Sequence, residues 1–537
     1  MIHEQTAEAV RAGYLYLFIA VTGGLILLMG LLLLYYECGT LSYAALRELS
    51  SGGDFMDNPR ILAAGICILF GFGAKAGMYP LHVWLPVAHP VAPSPASALL
   101  SGILTKVGVF GILMTALDLL PRNAVFGLLI LTLALITMLS GALLALFSVN
   151  LKRTLACSSM SQIGFILTGI GSMILCGAAR ETHGYALAYT GAILHMVNHS
   201  MLKLALFMAA GVAVMNLHTL TLNDLRGWGR GKPVLQFVFA VSAAGISGVP
   251  LLNGYVSKSM LHEGIVHLLE TSETTVIFPG ISLTGYLHAA EWIFLFSGGL
   301  TFAYMLKLYI CLFHEKNVDE RRQKQYDASP RCMNRLSATV LIGAACLLIP
   351  LGQPWFFRPL AVNVGGTGNF AAFTWENLRG ALISLSIGAV VYLGFVRRVL
   401  RPYGHYINLW PQSLNLGDSI YVPLMTDILP KAFGSAARLF AENVVLRPLC
   451  AWILLAGSVL GRFLSDSTDV LIVFVRRTIT REVRVQDANY RVGRWKAYKR
   501  ATEEALRPLS ENFSSALLMT CLGIIVIFVL LFLSYAE

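Results

Sequence analysis

Residues 74–111 read AKAGMYPLHVWLPVAHPVAPSPASALLSGILTKVGVFG, and this stretch decides what kind of protein the chain is. It is apolar almost throughout, yet Lys75 stands five residues before Pro80, and Lys106 sits within the second apolar run between Gly102 and Gly108. A lysine at membrane depth costs roughly 2.5 kcal/mol or more and marks a functional site by default. Snorkelling is the alternative for Lys75, but the adjoining proline-rich loop is itself apolar and offers the ammonium no aqueous end. Around Lys106 the glycines allow either close helix packing or a hydrated pocket.

Composition extends the membrane reading to the whole chain. Of its 537 residues, 56% are hydrophobic and only 13% charged, about half the usual ~25%, and mean hydropathy is +0.67. The net charge of +11 belongs to loops rather than to a nucleic-acid surface. The nine cysteines form no CxxC or Cys/His cluster, which leaves zinc, Fe–S and disulfide frameworks without support. Neither GxxxxGK[ST] nor GxGxxG occurs, so ATP-driven transport and dinucleotide binding are not expected here.

Apolar runs long enough to span a bilayer fall at 12–36, 61–79, 97–119, 124–150, 154–175, 185–214, 233–270, 289–313, 336–354, 380–396 and 514–533. The run 233–270 is interrupted by Gly245, Gly248, Pro250 and Gly254. Counted as one broken helix, it leaves Lys152/Arg153, Arg226/Arg230/Lys232, Arg321/Arg322/Lys324/Arg331/Arg335 and Arg397/Arg398/Arg401 on one side. Counted twice, it scatters them over both faces, against the positive-inside rule. The expected fold is therefore an all-α polytopic membrane protein of about 11 transmembrane helices, with its N-terminus in the cytoplasm. From Asp427 to Glu511 there are 14 basic and 9 acidic residues, +5, and an apolar stripe through Leu446, Leu449, Ile453, Ala456, Leu460 and Phe463. That segment reads as a cytoplasmic lateral amphipathic helix, or as shorter surface helices broken at Pro430 and Pro448.

Further buried charge lies in HMVNHSMLK, where His195, His199 and Lys203 recur at i, i+4 and i+8 on one helix face. Two histidines alone would suggest packing. With the lysine in the same uncharged span, a proton relay through bridging water is the better reading. Lys258 follows the break GVPLLNGYVSK, which supplies the hydrated surroundings a membrane lysine needs. Possible accessory residues are Lys307 and Glu291, near opposite ends of their span and able to snorkel or be solvated, and His82 and His89, where a gating role competes with structural hydrogen bonding. Trp84 and Trp292 read as interfacial anchors.

Together these strings resemble the antiporter-like proton-translocating subunit family: the large antiporter-like subunits of respiratory complex I, of energy-converting membrane-bound hydrogenases and of Mrp-type cation/proton antiporters. The stretch 74–111 is similar to the family's broken seventh helix and its eighth, LKRTLACSSMSQIGFIL to its next conserved block, HMVNHSMLKLALFMAAG to its eleventh helix, and GVPLLNGYVSKSML to its broken twelfth. The resemblance implies remnants of inverted repeats, with Lys75 as pump lysine, Lys106, His195, His199 and Lys203 as connecting residues, and Lys258 as terminal lysine. It divides the chain into an incomplete first repeat (1–119), a second repeat (120–315), additional helices and loops (316–426), the lateral segment (427–511) and a C-terminal anchor (512–537).

The family normally has five earlier helices, the fifth carrying a glutamate paired with the pump lysine, and no carboxylate inside the spans from Ala12 to Val214 convincingly replaces it, since Asp118 is at a span end. The resemblance therefore implies a neighbouring chain that offers an acidic residue to Lys75, or a Lys75 that no longer pumps. The expected function is proton translocation in a redox-driven complex of the prokaryotic cytoplasmic membrane, hydrogenase-type or complex I-like. Alternatives are an Mrp-type Na⁺/H⁺ antiporter subunit and a non-conducting scaffold. No cofactor or metal is expected in this chain. Fe–S and NiFe or quinone sites are expected in partner subunits, lipid and other membrane and peripheral subunits around it, and no nucleic acid.

Overall fold

The computed structural model describes residues 6–429, apart from 53–54, 56–57, 272–275, 279–280 and 330–331, and only isolated positions beyond them. The chain forms two units, Met1–Leu416 and Gly417–Glu537. The expected lateral helix (427–511), isolated positions excepted, and the expected anchor (512–537) lie outside the described residues.

The helices that frame the first unit are α1 (Ala7–Cys38), α2 (Tyr43–Leu49), α3 (Pro59–Ala76), α4 (Trp84–Val91), α5 (Ser94–Leu119), α6 (Ala124–Phe147), α7 (Leu151–Ala178), α8 (Thr182–Leu217), α9 (Pro233–Ser247), α10 (Asn253–Thr271), α11 (Leu283–Phe313), α12 (Arg335–Leu348) and α13 (Trp375–Val391), with further short helices at Leu222–Leu225, Glu320–Ala328 and Pro354–Asn363. A short hairpin, β1 (Val276–Phe278) with β2 (Ile281–Ser282), joins α10 to α11. In lipid each helix satisfies its own backbone, and nine runs among the described residues are long and apolar enough to cross a membrane, α3 and α4 counting as one. All the spans expected up to residue 396 coincide with one of these runs or with the pair α9–α10. The chain is an all-α polytopic membrane protein.

Both expected breaks are present. Helix α3 ends at Gly77, whose φ of +82° only glycine adopts without strain, and the chain resumes helically in α4. Trp84 closes this break: its indole donates to the Ala74 carbonyl at 2.9 Å, and the ring is 1% exposed. That corrects its assignment as an interfacial anchor, because a carbonyl freed by the broken helix binds the indole N–H inside the protein. Helix α9 ends at Gly248, φ +80°, and α10 begins at Asn253. Gly108 lets α5 approach α3 here, since a Cβ would stand 2.5 Å from the Phe72 carbonyl oxygen.

Helix α7 is the axis of the unit: 94% of its apolar window is buried, and it packs against α6 and α8. Its small polar residues, Ser158, Ser159, Ser161 and Gln162, permit close contact while presenting hydrogen-bonding groups to its neighbours. The basic loops meet at one end of the bundle, as a single crossing of 233–270 requires. Arg226 and Arg401 both pair with Glu315, Asn223 donates to the Tyr406 carbonyl, and the loops before α7 and after α8 join through Leu151 and Leu220. Lys152, expected among the loop charges, is instead 3% exposed and donates to the Ala92 carbonyl at 2.8 Å, tying α7 to the α4–α5 turn.

Candidate functional site

The stripe on α8 is a buried line. His195 and His199 are parallel within 9°, their ring centroids 6.4 Å apart, as one helical turn dictates. Both are fully buried, as is Lys203. His195 is held at both ends: Nδ1 lies 2.9 Å from the Ser257 hydroxyl and Nε2 3.0 Å from Gln162 Oε1. Among the described residues His199 has no hydrogen-bond partner at either ring nitrogen. Lys203 donates to the Leu155 carbonyl at 2.8 Å and to Ser158 Oγ at 2.7 Å. A buried imidazole without a protein partner is satisfied by water or by passing protons, so the middle of the line is its free element.

Lys106 approaches from α5, directly after a π-helical turn at Leu100–Leu104, and donates to the Ser101 carbonyl at 2.5 Å. Extra-residue turns of this kind recur at functional sites because they release a carbonyl from the helix ladder. Lys106, Lys203, His195 and Lys258 all lie within electrostatic reach of His199. Lys258 donates to the Ile246 carbonyl at 2.8 Å, across the α9–α10 break, and its ammonium stands 4.5 Å from the centroid of the Phe165 ring. A helix C-terminus carries partial negative charge, so the ammonium both caps α9 and faces an aromatic surface.

Beside Lys258 is a cavity with about 40 Å³ of room for water centres, enough for on the order of three waters at ~10–15 Å³ each. Its wall includes Ser247 at the break, His262, Phe294, Asn377 and Ser384. The carboxamide oxygen of Asn377 is buried without a partner among the described residues, which suits a hydrated space.

Lys75 lies in the last turn of α3, half-buried. Among the described residues it has neither a hydrogen-bond nor an ion-pair partner, and Asp118 is engaged by Arg47 at 2.5 Å. The accessory residues separate. Lys307 is 2% exposed and donates to the Ala145, Leu146 and Ser148 carbonyls at 3.2, 2.6 and 2.8 Å. It caps α6 rather than snorkelling, because those carbonyls have no partner within their own helix. His82 stacks on Tyr79 and His89 on Phe207, with centroids 5.6 and 4.6 Å apart. Neither ring nitrogen of His89 has a hydrogen-bond partner among the described residues. Glu291 accepts from His262 at 3.3 Å.

Beside the stripe, Tyr304, fully buried on α11, donates to Thr301 Oγ1 at 3.3 Å, and Gln162 Nε2 donates to the same oxygen at 3.3 Å, so Tyr304 is tied through Thr301 to the glutamine that holds His195. Sequence reasoning passed over these residues. Gln162 had a signal, the polar cluster Ser158-Ser159-Met160-Ser161-Gln162 in an apolar span, whereas Tyr304 among the aromatics of α11 had none.

The family described as NADH:quinone oxidoreductase/Mrp antiporter, TM, matches residues 1–282, a stretch containing every residue of the buried line. Hydrogenase-4 component B of Escherichia coli K12 is 32% identical over 358 residues, 66% of this chain and 51% of that one. Formate hydrogenlyase subunit 3 of the same organism is 30% identical, covering 66% and 56%, and NAD(P)H-quinone oxidoreductase chain 4 1 of Synechococcus elongatus 31%, covering 55% and 50%. The chain thus spans about half the length of the curated relatives it matches. In three dimensions it is similar to a chain of the Mrp complex from Dietzia sp. DQ12-45-1b, with a TM-score of 0.53, 23% identity and coverage of 72% and 69%. A chain of respiratory complex I from Thermus thermophilus gives 0.52, 21%, 71% and 69%. With the buried histidine–lysine line inside the matched stretch and both broken helices in place, the chain belongs to the NADH:quinone oxidoreductase/Mrp antiporter transmembrane family.

Proposed function

We propose that this chain is a proton-translocating, antiporter-like subunit of a redox-driven multisubunit complex in the prokaryotic cytoplasmic membrane, with its basic loops towards the cytoplasm. The observation that carries this reading is the buried, cation-rich line of Lys203, His199 and His195 on α8 with Lys106 and Lys258 beside it, in which His199 has no hydrogen-bond partner among the described residues. A structural polar network would satisfy each member; this one leaves its central imidazole available to exchange protons. Electron transfer belongs to partner subunits holding Fe–S and NiFe or quinone sites, and its energy arrives as conformational or electrostatic change at the lysines. The names of the hydrogenase-4 and formate hydrogenlyase relatives favour a hydrogenase-type assembly.

Lys75 fits this scheme if a neighbouring chain sets a carboxylate against the end of α3, since a buried ammonium needs a counter-charge within about 4–6 Å to stay in a usable range. The unpaired Lys75 and the engaged Asp118 support that arrangement. A second reading, a Na⁺/H⁺ antiporter subunit, is favoured by the likeness to the putative antiporter subunit mnhA2 of Staphylococcus haemolyticus, 31% identical over 310 residues. Purifying the complex and identifying its subunits separates the two. NiFe or Fe–S proteins, with proton uptake driven by electron transfer, support the first; a redox-inactive complex with Na⁺-driven proton movement replaces it by the second.

A further inference from the structure

The line of titratable groups does not stop at Lys258. One turn further along α10, His262 lines the same cavity, and its Nε2 lies 3.3 Å from Glu291 Oε1 on α11. One turn earlier on α11, His288 Nδ1 lies 4.0 Å from Glu291 Oε2. Side-chain exposure rises in order, from buried Lys258 to 16% at His262, 24% at Glu291 and 58% at His288. Glu291 is eight residues into α11, about 12 Å from its start, at the end of the bundle opposite the basic loops.

The geometry points to an outlet in which protons leaving Lys258 cross the cavity water to His262, pass to Glu291 and emerge at His288 on the face where α11 begins. The inference rests on the proposed function, gives the accessory residue Glu291 a definite place in it and extends it to His262 and His288, which neither the sequence pattern nor the relatives assign. The transfers are proton hops alone: Lys258 gives its proton to water, water protonates the His262 imidazole, the imidazolium protonates Glu291, and the carboxyl releases it outward. Other charges face this pair. Glu263, His267 and Glu270 share α10 with His262, and Glu376 lies at the start of α13 within electrostatic reach of Glu263. Helix α7 presents Phe165 and no titratable group to the cavity, whose α13 wall is Asn377, Gly380, Ala381 and Ser384.

The role of Glu291 separates cleanly from a structural one. Glutamine can still accept the His262 hydrogen bond, more weakly than the carboxylate, but does not titrate. The test uses the assembled complex in sealed vesicles, with proton movement followed by a pH-sensitive dye under electron-transfer drive or, for an Mrp-like assembly, under an imposed Na⁺ gradient. Glu291→Gln and His262→Gln are expected to assemble normally and lose most proton movement, while Glu291→Asp restores it. If Lys258→Ala stops proton movement and Glu291→Gln and His262→Gln both run at the wild-type rate, the outlet is wrong and the proposed function stands. Should His262→Gln fail to assemble, Glu291→Gln with its Asp rescue decides alone. A loss that Glu291→Asp does not restore also overturns the outlet. Wild-type proton movement in Lys258→Ala, or none in the wild-type complex, overturns the proposed function and the outlet with it.

Discussion

His195 Nε2 stands 3.0 Å from Gln162 Oε1 while its neighbour His199, one turn along the same helix, has no hydrogen-bond partner among the described residues. The two histidines look equivalent in sequence and differ in kind: one is fixed by its partners, the other available. With an amide oxygen at Nε2, that nitrogen carries the proton and Nδ1 accepts from the Ser257 hydroxyl.

Replacing His199 by methionine should therefore cost little stability, since no hydrogen bond is lost and a buried apolar group of similar volume is tolerated. Proton translocation should fall by about tenfold or more, the order seen when a positioned proton carrier is removed. Thermal unfolding in detergent and vesicle pumping assays check the two halves. Wild-type flux in His199→Met would make the residue a packing group.

Gln162→Met should behave in the opposite way. It strands His195 Nε2 in a dry interior, at a cost of about 1–3 kcal/mol, visible as a lower unfolding temperature. Tyr304→Phe removes the hydroxyl that donates to Thr301 but leaves the α8 stripe, so flux should persist with a stability loss of about 1 kcal/mol. Flux lost in Tyr304→Phe and kept in His199→Met would move the proton path to Tyr304.

Glu315 holds Arg226 and Arg401 at the loop end of the bundle, itself 7% exposed against 11% and 22% for the arginines. Removing the shared acid leaves two cations facing each other, so Glu315→Ala should cost on the order of 3–5 kcal/mol. The yield of assembled complex should fall while proton movement per assembled complex is unchanged. Reduced turnover at full assembly would show that the cluster belongs to the conduction path.

Glu181 caps α8 by accepting from the backbone N–H groups of His183 and Gly184 at 2.8 and 2.9 Å, which holds its carboxyl below the usual carboxylate range. The folded value lies below the unfolded one, so the stabilisation is full above about pH 4.3 and disappears as the pH falls through the folded value. Glu181→Ala should cost about 0.5–2 kcal/mol at neutral pH. The gap between the two proteins should close in acid; a gap independent of pH would contradict the charged cap.

The spans, the break within 233–270 and the α8 stripe were legible because each is written in local pattern: apolar length, glycine and proline punctuation, and a four-residue repeat; the break at Gly77 came only from the family resemblance. What escaped was what depends on neighbours. Lys152 and Trp84 were placed at the surface by their sequence surroundings, yet both are buried on carbonyls that only the folded turns supply. Lys307 caps a helix more than 150 residues away in the chain, and no pattern within α11 announces that. His262 lies one turn past Lys258 in plain view, but its pairing with Glu291 depends on α10 and α11 folding side by side after the hairpin.

The bond from Lys258 to the Ile246 carbonyl couples the charge of a side chain to the angle of a hinge. Linkage makes that coupling reciprocal: a movement that draws α9 away from α10 changes how tightly Lys258 holds its proton, and a proton arriving or leaving biases the hinge by the same free energy. A partner subunit need not touch the lysine to drive it, because bending the broken helix is already a way of handling the proton.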